Sequence, residues 1–575
     1  MMKRPSFLFK IEQTSIPSFT WGDAVVLLGV IGAIWYGVRL AFLAPAIIEG
    51  PQISLSPMAL PWYAGYSISR MAAAYVLSII FTILYGYSMV HNKYARKLLL
   101  PLLDILQSIP ILSFLPVVVL SLSSILPTKF AAEVASIVLI FTSQAWNLTF
   151  AWYQALTTLP GELAEASSIY NFNGWLRFRM LHLPFAAIAL LWNSIMSWAG
   201  GWFFLMAAEI FTVGQRDFRL PGLGAYLHKA ASAGDLNAIF WGLAVLIFVI
   251  VAMDQFIWSP LLAWSERFKL EMVESENPRT SWFYDAWRAS RLVAWMYETW
   301  WGPLGRKFDY LMMKMFPAKQ SISHRKEAKP WLFIVFCIFA SVPLAYGLYN
   351  CVQMLLDVTT THWVGIGIGI GATFLRVFSA LAIALAWTLP LGVAIGTNPR
   401  LARLLQPVVQ IAASIPATAL FPVILLFMID LPGGLSLIAV FLMLLGTQWY
   451  LLFNIIAGAS AIPQDLKFTA TLLQLGTWRK WRVLILPALF PYIITGAIAA
   501  GGGAWNASIV AEYVDFAGKT MFTVGIGSMI ARATASGDYP LLLASTLVMI
   551  TTVVLINRLI WRRLYRVARE RFRMD

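Results

Sequence analysis

The amino-acid sequence predicts an all-α polytopic membrane protein, with about 12 transmembrane helices arranged as two parallel six-helix repeats. Three observations predict this fold. Of the 575 residues, 59% are hydrophobic and 12% are charged, whereas roughly 25% of the residues in a soluble domain are charged. Apolar runs long enough to cross a hydrocarbon layer of about 30 Å recur along the chain. Motifs of the first half return in the second half in the same order.

The apolar runs define twelve predicted spans. These are 22–43, 65–90, 99–125, 131–157, 185–212, 238–262, 331–350, 366–396, 404–428, 433–460, 488–512 and 540–561. Most of the 42 lysines and arginines fall in segments that face the cytoplasm when the N-terminus is inside, as the positive-inside rule requires. Both termini are therefore predicted in the cytoplasm. The net charge of +15 is explained by these loops, and no nucleic-acid partner is expected.

The spans divide the chain into three predicted parts. Residues 1–264 form the first half, and residues 331–575 form the second half with a basic C-terminal tail. The linker, 265–330, alternates tryptophans with basic residues, which is typical of amphipathic helices lying at a membrane surface. The two cysteines and five histidines show no spacing that predicts a metal site.

Matching residues show that the two halves are a duplication. The matched pairs include Arg70 and Arg376, Ser108 and Ser414, Pro110 and Pro416, Trp202 and Trp505, and Glu209 and Glu512. Each half contains six predicted spans, an even number, so both halves insert in the same orientation. Parallel repeats of this kind predict a pathway between the halves.

The segment between the fourth and fifth spans is basic and aromatic in both halves. It begins after Pro160 in the first half and Pro463 in the second, with Glu162 or Asp465 two positions later. Proline followed by an acidic residue is typical of a helix start. One interpretation is an ordinary amphipathic loop that re-enters the membrane. Its duplication at the same place favours a pair of docking elements for a two-fold partner.

Prolines and polar residues at membrane depth mark a candidate path. Pro110, Pro116, Pro416 and Pro422 interrupt the third predicted span of each half, either as kinks that shape packing or as the lining of a transport path. The other path candidates are the residues beside these breaks, the amides of the fourth spans and a tryptophan near each glycine cluster: Ser108, Ser414, Asn147, Asn454, Trp202 and Trp505. Hydrogen bonds and close contacts between helices are the alternative role for these residues.

Charged residues inside membrane spans are costly and are seldom idle. Arg70 and Arg376 lie near the outer end of the second span of each half, and Glu209 and Glu512 lie near the outer end of the fifth. Either each half contains a structural arginine–glutamate pair, or the arginines guide an anion at the outer mouth. The pair is favoured, because the carboxylates would cancel the field of the arginines.

The duplicated loops resemble those of the membrane permeases of binding-protein-dependent ABC importers. That family has a cytoplasmic Glu-Ala-Ala loop with glycine six residues after the glutamate and a closing Leu-Pro. The first half has Glu165-Ala166-Ser167 with Asn171 at the glycine position, and Leu183-Pro184. Asparagine is among the residues that best tolerate the left-handed conformation. The second half keeps Leu486-Pro487 but has Phe468-Thr469-Ala470 and Gln474.

The stretch "SWAGGWFFLMAAEIFTVG" and the following "LPGLG" are similar to nitrate, sulfonate, taurine and bicarbonate permeases, and the chain resembles their fused, duplicated form.

The resemblance implies a bacterial inner-membrane complex that imports a small anion by alternating access. Two cytoplasmic ABC ATPases would dock on the loops, and an extracytoplasmic protein would deliver the solute. The docking residues implied are Glu162, Glu165, Ala166, Asn171, Gly174, Asp465, Gln474 and Gly476. ATP and magnesium would belong to the partners, so this chain is expected to be non-catalytic and without a cofactor. Its Walker-like fragment, Gly518-Lys519-Thr520, has Tyr513 where a P-loop requires glycine.

Two other classes of protein fit the sequence less well. An ion-coupled secondary transporter would usually keep an ionisable group near the membrane centre, and the predicted spans carry almost none there. A membrane enzyme would need a catalytic constellation, and the sequence shows no Ser–His or metal-ligand arrangement.

Overall fold

The structure is a computed structural model. It describes residues 21–41, 50–213, 216–268, 281–315, 345–428, 430–460, 462, 464–516, 519–561, 563–564 and 567. The helices of the first half and the linker are α1 Trp21–Ala41, α2 Leu60–His91, α3 Lys93–Ser108, α4 Leu115–Ser123, α5 Thr128–Thr157, α6 Gly161–Ile169, α7 Gly174–Arg177, α8 Leu183–Glu209, α9 Leu223–Ser232, α10 Leu236–Met253, α11 Ser259–Ser265, α12 Trp282–Ala289, α13 Arg291–Met296 and α14 Gly302–Met315.

The second half repeats this order. Its helices are α15 at 345–356, α16 Thr360–Thr397, α17 Pro399–Ser414, α18 Ala417–Met428, α19 Gly434–Ser460, α20 Gln464–Leu472, α21 Thr477–Lys480, α22 Leu486–Glu512, α23 Ile526–Ser536 and α24 Tyr539–Ile556. Short π-helical turns extend several of these helices at matching places in the two halves. They are Phe178–His182, Asp254–Trp258, Trp481–Ile485 and Asn557–Trp561.

Among the described residues, eight helices are long and apolar enough to cross a membrane, or nine if one bent pair counts as a single span. The eight coincide with predicted spans two, four, five, six, eight, ten, eleven and twelve. The first predicted span corresponds to α1. Most of the seventh, 331–350, lies outside the described residues.

The third predicted span of each half, 99–125 or 404–428, is broken. The helices α3 and α4 are bent by 90° at the break before Ile111. In the second half α17 ends at Ser414 and α18 begins at Ala417. A proline has no backbone N–H and disfavours helical geometry in the residue before it. Accordingly Ile415, before Pro416, is extended with ψ 118°. The predicted interruption is confirmed at Pro110 and Pro416, whereas Pro116 lies in the first turn of α4 and Pro422 lies inside α18.

The two halves pack in the same internal arrangement. In the first half α5 packs against α2 and α8, and in the second half α19 packs against α16 and α22. The halves also interlock: α18 packs against α8 and α9, and α24 packs against α1 and α3. A hydrophobic core that contains both Trp202 and Trp505 runs through this contact.

A two-stranded antiparallel hairpin follows the fifth long helix of each half. Strands β1 Thr212–Val213 and β2 Arg216–Asp217 form the first, and β3 Tyr513–Phe516 and β4 Lys519–Phe522 form the second. The Walker-like Lys519 therefore lies in a strand, whereas the lysine of a P-loop lies at the start of a helix.

Candidate functional site

A cavity of about 1350 Å³ lies between the two halves. Matching residues from both halves line it: Pro110 and Pro416 at the helix breaks, Trp202 and Trp505 on α8 and α22, and Trp258 and Trp561 at the ends of the π turns. Trp202 and Trp505 are 1% and 3% exposed. The cavity therefore has the approximate two-fold symmetry of the duplication.

The polar groups of the cavity do not follow that symmetry. Asp254, the first residue of a π turn, is the charged side chain among the described lining residues. Its counterpart in the second half is Asn557, which also begins a π turn and lines the cavity. One oxygen of Asp254 accepts from Gln255 at 3.2 Å, and the other accepts from Gln410 at 3.4 Å. Because Gln410 belongs to α17, Asp254 bridges the two halves.

Side chains of one half satisfy backbone groups of the other half at this interface. The Asn506 side-chain oxygen accepts from the Leu112 N–H at 3.3 Å, just after the break in the first half. The Thr418 hydroxyl donates to the Phe203 carbonyl at 3.1 Å. Backbone groups freed by a helix break must find partners inside the protein when no water is present.

Replacing Asn506 by alanine should lower the free energy of unfolding by about 1–3 kcal/mol, because the buried Leu112 N–H would lose its acceptor. Thermal unfolding of the purified chain in detergent measures the change. The matched control is Asn454→Ala, since the Asn454 amide donates to the Tyr450 carbonyl of its own helix. Equal destabilisation by both variants would contradict a specific role for Asn506 at the break.

The other predicted path residues are placed differently. The Asn147 amide donates to the Ser197 hydroxyl at 3.1 Å, and neither Asn147 nor Asn454 is among the described lining residues. The side chains of Ser108 and Ser414 lie outside the described part of the chain. Of the predicted path residues, the structure thus brings Pro110, Pro416, Trp202 and Trp505 to one cavity.

The second site is a network of charged side chains around Arg70 on α2, where the sequence predicted a charge pair. Arg70 donates to Glu209 at 2.9 Å and makes two bonds of 2.6 Å to Glu133. Glu209 is fully buried. It also accepts from the Ser67 hydroxyl at 2.6 Å and from the Gly224 N–H at 2.7 Å. The contacts join α2 to α5 and to α8, and α8 to α9, so the network ties four helices together.

The second half repeats the network with one difference. Arg376 donates to Glu512 at 2.9 Å, and Glu512 accepts from Thr373 at 2.7 Å and from the Gly527 N–H at 2.9 Å. Where the first half has Glu133, the second half has Ser436, whose hydroxyl accepts from Arg376 at 3.1 Å. Arg70 thus contacts two carboxylates, and Arg376 contacts one.

The matching glycines of the two halves are explained by this network. A Cβ atom on Gly222 or Gly525 would overlap the carboxylate of Glu209 or Glu512.

Outside the spans, Arg219 donates to Asp217 at 2.9 Å, and this hydrogen bond raises the pKa of the Arg219 guanidinium. Arg70, Arg376 and Arg219 are therefore all paired with carboxylates.

The predicted docking segments have the same backbone in both halves despite their different sequences. A residue with positive φ stands two positions after the last residue of each of the helices α6 and α20. These residues are Asn171, with φ 51°, and Gln474, with φ 49°. The next N–H then bonds back to the helix, from Phe172 to Ser167 in the first half and from Leu475 to Ala470 in the second. This closing bond is typical of a helix end stabilised by a left-handed residue. The left-handed conformation predicted for Asn171 is confirmed, and Gln474 adopts it as well.

The ends of these two helices expose large apolar side chains. Ile169 and Tyr170 are 77% and 75% exposed, and the matching Leu472 and Leu473 are 82% and 65% exposed. Glu162 and Glu165 are also exposed, Ala166 is half-buried, and the side chain of Asp465 lies outside the described part of the chain. Gly174 begins α7 and Gly476 precedes α21, each at the turn that follows. Exposed apolar patches rimmed by polar groups are typical of protein interfaces.

The linker contacts the docking segment of the first half. In α14, Asp309 accepts from the Trp175 indole at 3.1 Å and pairs with Arg179. Phe308 packs edge-on against Trp175 with ring centroids 5.6 Å apart. The matching residue of the second half, Trp478, is 80% exposed. The two docking segments are therefore similar in backbone but different in surroundings.

Sequence reasoning missed Asp254 and the π turns. Asp254 falls within the predicted span 238–262, so the rule that ionisable residues inside spans are functional would have selected it. The π turns had no comparable signal in the sequence. One of the two partners of Asp254, Gln410, comes from a helix more than a hundred residues away, and periodicity alone does not place that helix.

Two pseudo-symmetric helical halves around a shared cavity, with paired surface helices, define a duplicated membrane permease. The sequence signature of the family described as binding-protein-dependent transport system inner membrane component matches residues 74–255 and 388–573. The chain belongs to this family. The family and the apolar helices make it a multi-pass protein of the bacterial inner membrane, and the resemblance seen in the loops is confirmed.

Several curated permeases are similar to parts of the chain. The nitrate import permease protein NrtB of Synechocystis sp. is 29% identical over 166 residues, which cover 29% of this chain and 57% of that protein. The bicarbonate transport system permease protein CmpB of Synechococcus elongatus is 32% identical over 144 residues, 25% of this chain and 50% of that protein. The taurine transport system permease protein TauC of Escherichia coli is 24% identical over 164 residues, which cover 28% of this chain and 56% of that protein. The chain thus spans about half the length of these relatives.

Proposed function

We propose that this chain is the membrane permease of an ABC importer and works with two cytoplasmic ATPase subunits and an extracytoplasmic solute-binding protein. ATP and magnesium would be bound by the ATPases, and this chain would supply the path for the solute. The proposed topology has twelve spans with both termini in the cytoplasm. ATP-driven closure of the ATPase pair would move the docking segments and rock one half against the other, giving alternating access to the cavity.

One observation carries this proposal. The helices α6 and α20 present the same backbone and exposed apolar ends, although only part of their sequence is shared. A duplicated apolar surface suits a partner that is itself two-fold symmetric. The ATPase pair of an importer has that symmetry.

The proposed solute is a small anion such as nitrate, bicarbonate or a sulfonate. This class follows from the relatives, which are nitrate, bicarbonate and taurine permeases. The cavity between the halves is the proposed path, with Pro110, Pro416, Trp202 and Trp505 in its wall.

The experiment is purification of the tagged chain from its native membrane, scored for a bound ATPase and for ATP hydrolysis. Replacing Glu162, Glu165 and Asp465 together by lysine should remove the ATPase, because the charge on both docking segments is reversed. Glu298→Lys is the matched control, since Glu298 is an exposed acid of the linker. An ATPase that stays bound to the triple variant contradicts docking on these segments.

One observation favours the alternative function, an ion-coupled secondary transporter. Asp254 is an ionisable group in the wall of the cavity. Solute uptake by membrane vesicles separates the two functions. Uptake that needs ATP supports the importer. Uptake driven by a proton gradient without ATP, together with no co-purifying ATPase, would replace it with the secondary transporter.

A further inference from the structure

The cavity between the halves has an unusual charge for a path that carries anions. Among the described residues that line it, Asp254 is the charged side chain, and there is no lysine, arginine or histidine. An inorganic oxyanion would therefore meet a carboxylate, and no cation among these described lining residues compensates the repulsion. A charge buried in a membrane protein normally has a partner of opposite sign.

Aromatic side chains line the same cavity as this carboxylate. Trp258 lies four residues after Asp254, on the same side of the helix. Its ring contacts Trp198 at a centroid distance of 5.7 Å and Tyr75 at 5.8 Å, and both tryptophans line the cavity. Indole faces attract ammonium groups, and the attraction grows when water is excluded. A carboxylate and two indole rings in the wall of one cavity thus favour a cationic group.

Neutral amides face the cavity from the second half. Gln410 donates to Asp254, and Gln406 lies one turn away on α17. Gln406, Asn506 and Asn557 also line the cavity. Amide N–H groups donate to carboxylate or sulfonate oxygens without carrying a charge. Side chains one turn apart on a helix have Cβ atoms separated by about 5–6 Å, so Gln406 and Gln410 lie close together.

We propose that the cavity binds a zwitterion, with its ammonium group at Asp254 and the indoles of Trp198 and Trp258, and its acid group at the amides of the second half. The substrate class is small amino-sulfonates or amino-carboxylates, in place of inorganic oxyanions. This inference rests on the proposed function and narrows its solute. The replacement of Asp254 by Asn557 in the second half leaves one cationic site, so the solute binds in one orientation.

The test compares two compounds that differ in the cationic group alone. Taurine carries an ammonium group where isethionate carries a hydroxyl, and both carry the same sulfonate. The full chain in nanodiscs is titrated with each compound, and also with nitrate, and binding is followed by ligand-observed NMR. Taurine is expected to bind at least about tenfold more tightly than isethionate or nitrate.

Two variants locate the site. Asp254→Asn should abolish the preference for taurine over isethionate. Asn557→Asp adds a second carboxylate at the matching position and should increase the preference. Asp357→Asn makes the same chemical change at an exposed position outside the cavity lining and should leave the preference unchanged.

Three results would overturn the inference. They are equal or tighter binding of isethionate or nitrate, a taurine preference that survives in Asp254→Asn, and no binding of either sulfonate. The proposed function fails separately. A chain that binds its ATPase but prefers isethionate refutes the zwitterion site alone, whereas a chain that prefers taurine but has no ATPase refutes the importer alone.

Discussion

Replacing Glu512 by glutamine should lower the free energy of unfolding by about 3–5 kcal/mol, the typical cost of removing one partner from a buried ion pair. Glu512 is fully buried, and it is the carboxylate bound by Arg376 in the second half. The variant would leave the Arg376 guanidinium with the hydroxyls of Ser436 and Thr523 and the Val524 carbonyl. Thermal or denaturant unfolding of the purified chain measures the loss.

The first half supplies the control for this prediction. Glu209→Gln should cost clearly less than Glu512→Gln, because Arg70 keeps its two hydrogen bonds to Glu133. Ser436→Glu introduces the missing carboxylate at the matching position and should restore part of the stability of Glu512→Gln. Equal losses from Glu209→Gln and Glu512→Gln, without rescue by Ser436→Glu, would show that the second carboxylate has no stabilising role.

Replacing Ile169 and Leu472 together by glutamate should reduce the amount of co-purified ATPase at least about tenfold, which corresponds to roughly 1.4 kcal/mol of binding free energy. Both side chains are more than three-quarters exposed at the ends of α6 and α20. A carboxylate in an apolar contact must be desolvated without a partner. The stoichiometry of ATPase to permease after gentle solubilisation measures the effect.

The single variants test whether both segments are used. Ile169→Glu or Leu472→Glu alone should leave one ATPase subunit more weakly held than the other. The matched control exchanges the two apolar residues, Ile169→Leu with Leu472→Ile, which keeps the surface apolar and should keep the ATPase. A double glutamate variant that binds ATPase normally would place the docking surface elsewhere.

Much of the helical fold could be predicted, because hydrophobic length and duplication are local signals. Eight predicted spans correspond to long apolar helices. The helix start after Pro160 and the left-handed Asn171 follow from backbone chemistry of one or two residues. The breaks in the third spans could be predicted as well, since Pro110 and Pro416 each lack a backbone N–H and restrict the residue before them.

The site was harder to predict, because its contacts join residues far apart in the sequence. The matched positions of Arg70, Glu209, Arg376 and Glu512 indicated a repeated feature, and their pairing became visible in the folded chain. The contribution of Glu133 could not be anticipated, since its match in the second half is a serine. Asp254 needed the packing of α17 to appear as part of a cavity wall.

The difference between Glu133 and Ser436 has a consequence for how such a protein evolves. In a permease made of two identical subunits, one mutation changes both copies, and a charge can be gained or lost only in pairs. Fusion of the two halves removes that restriction, so each position drifts and is selected alone. An odd number of acidic groups around one pathway, as with Asp254 opposite Asn557, then becomes accessible in a single genetic step.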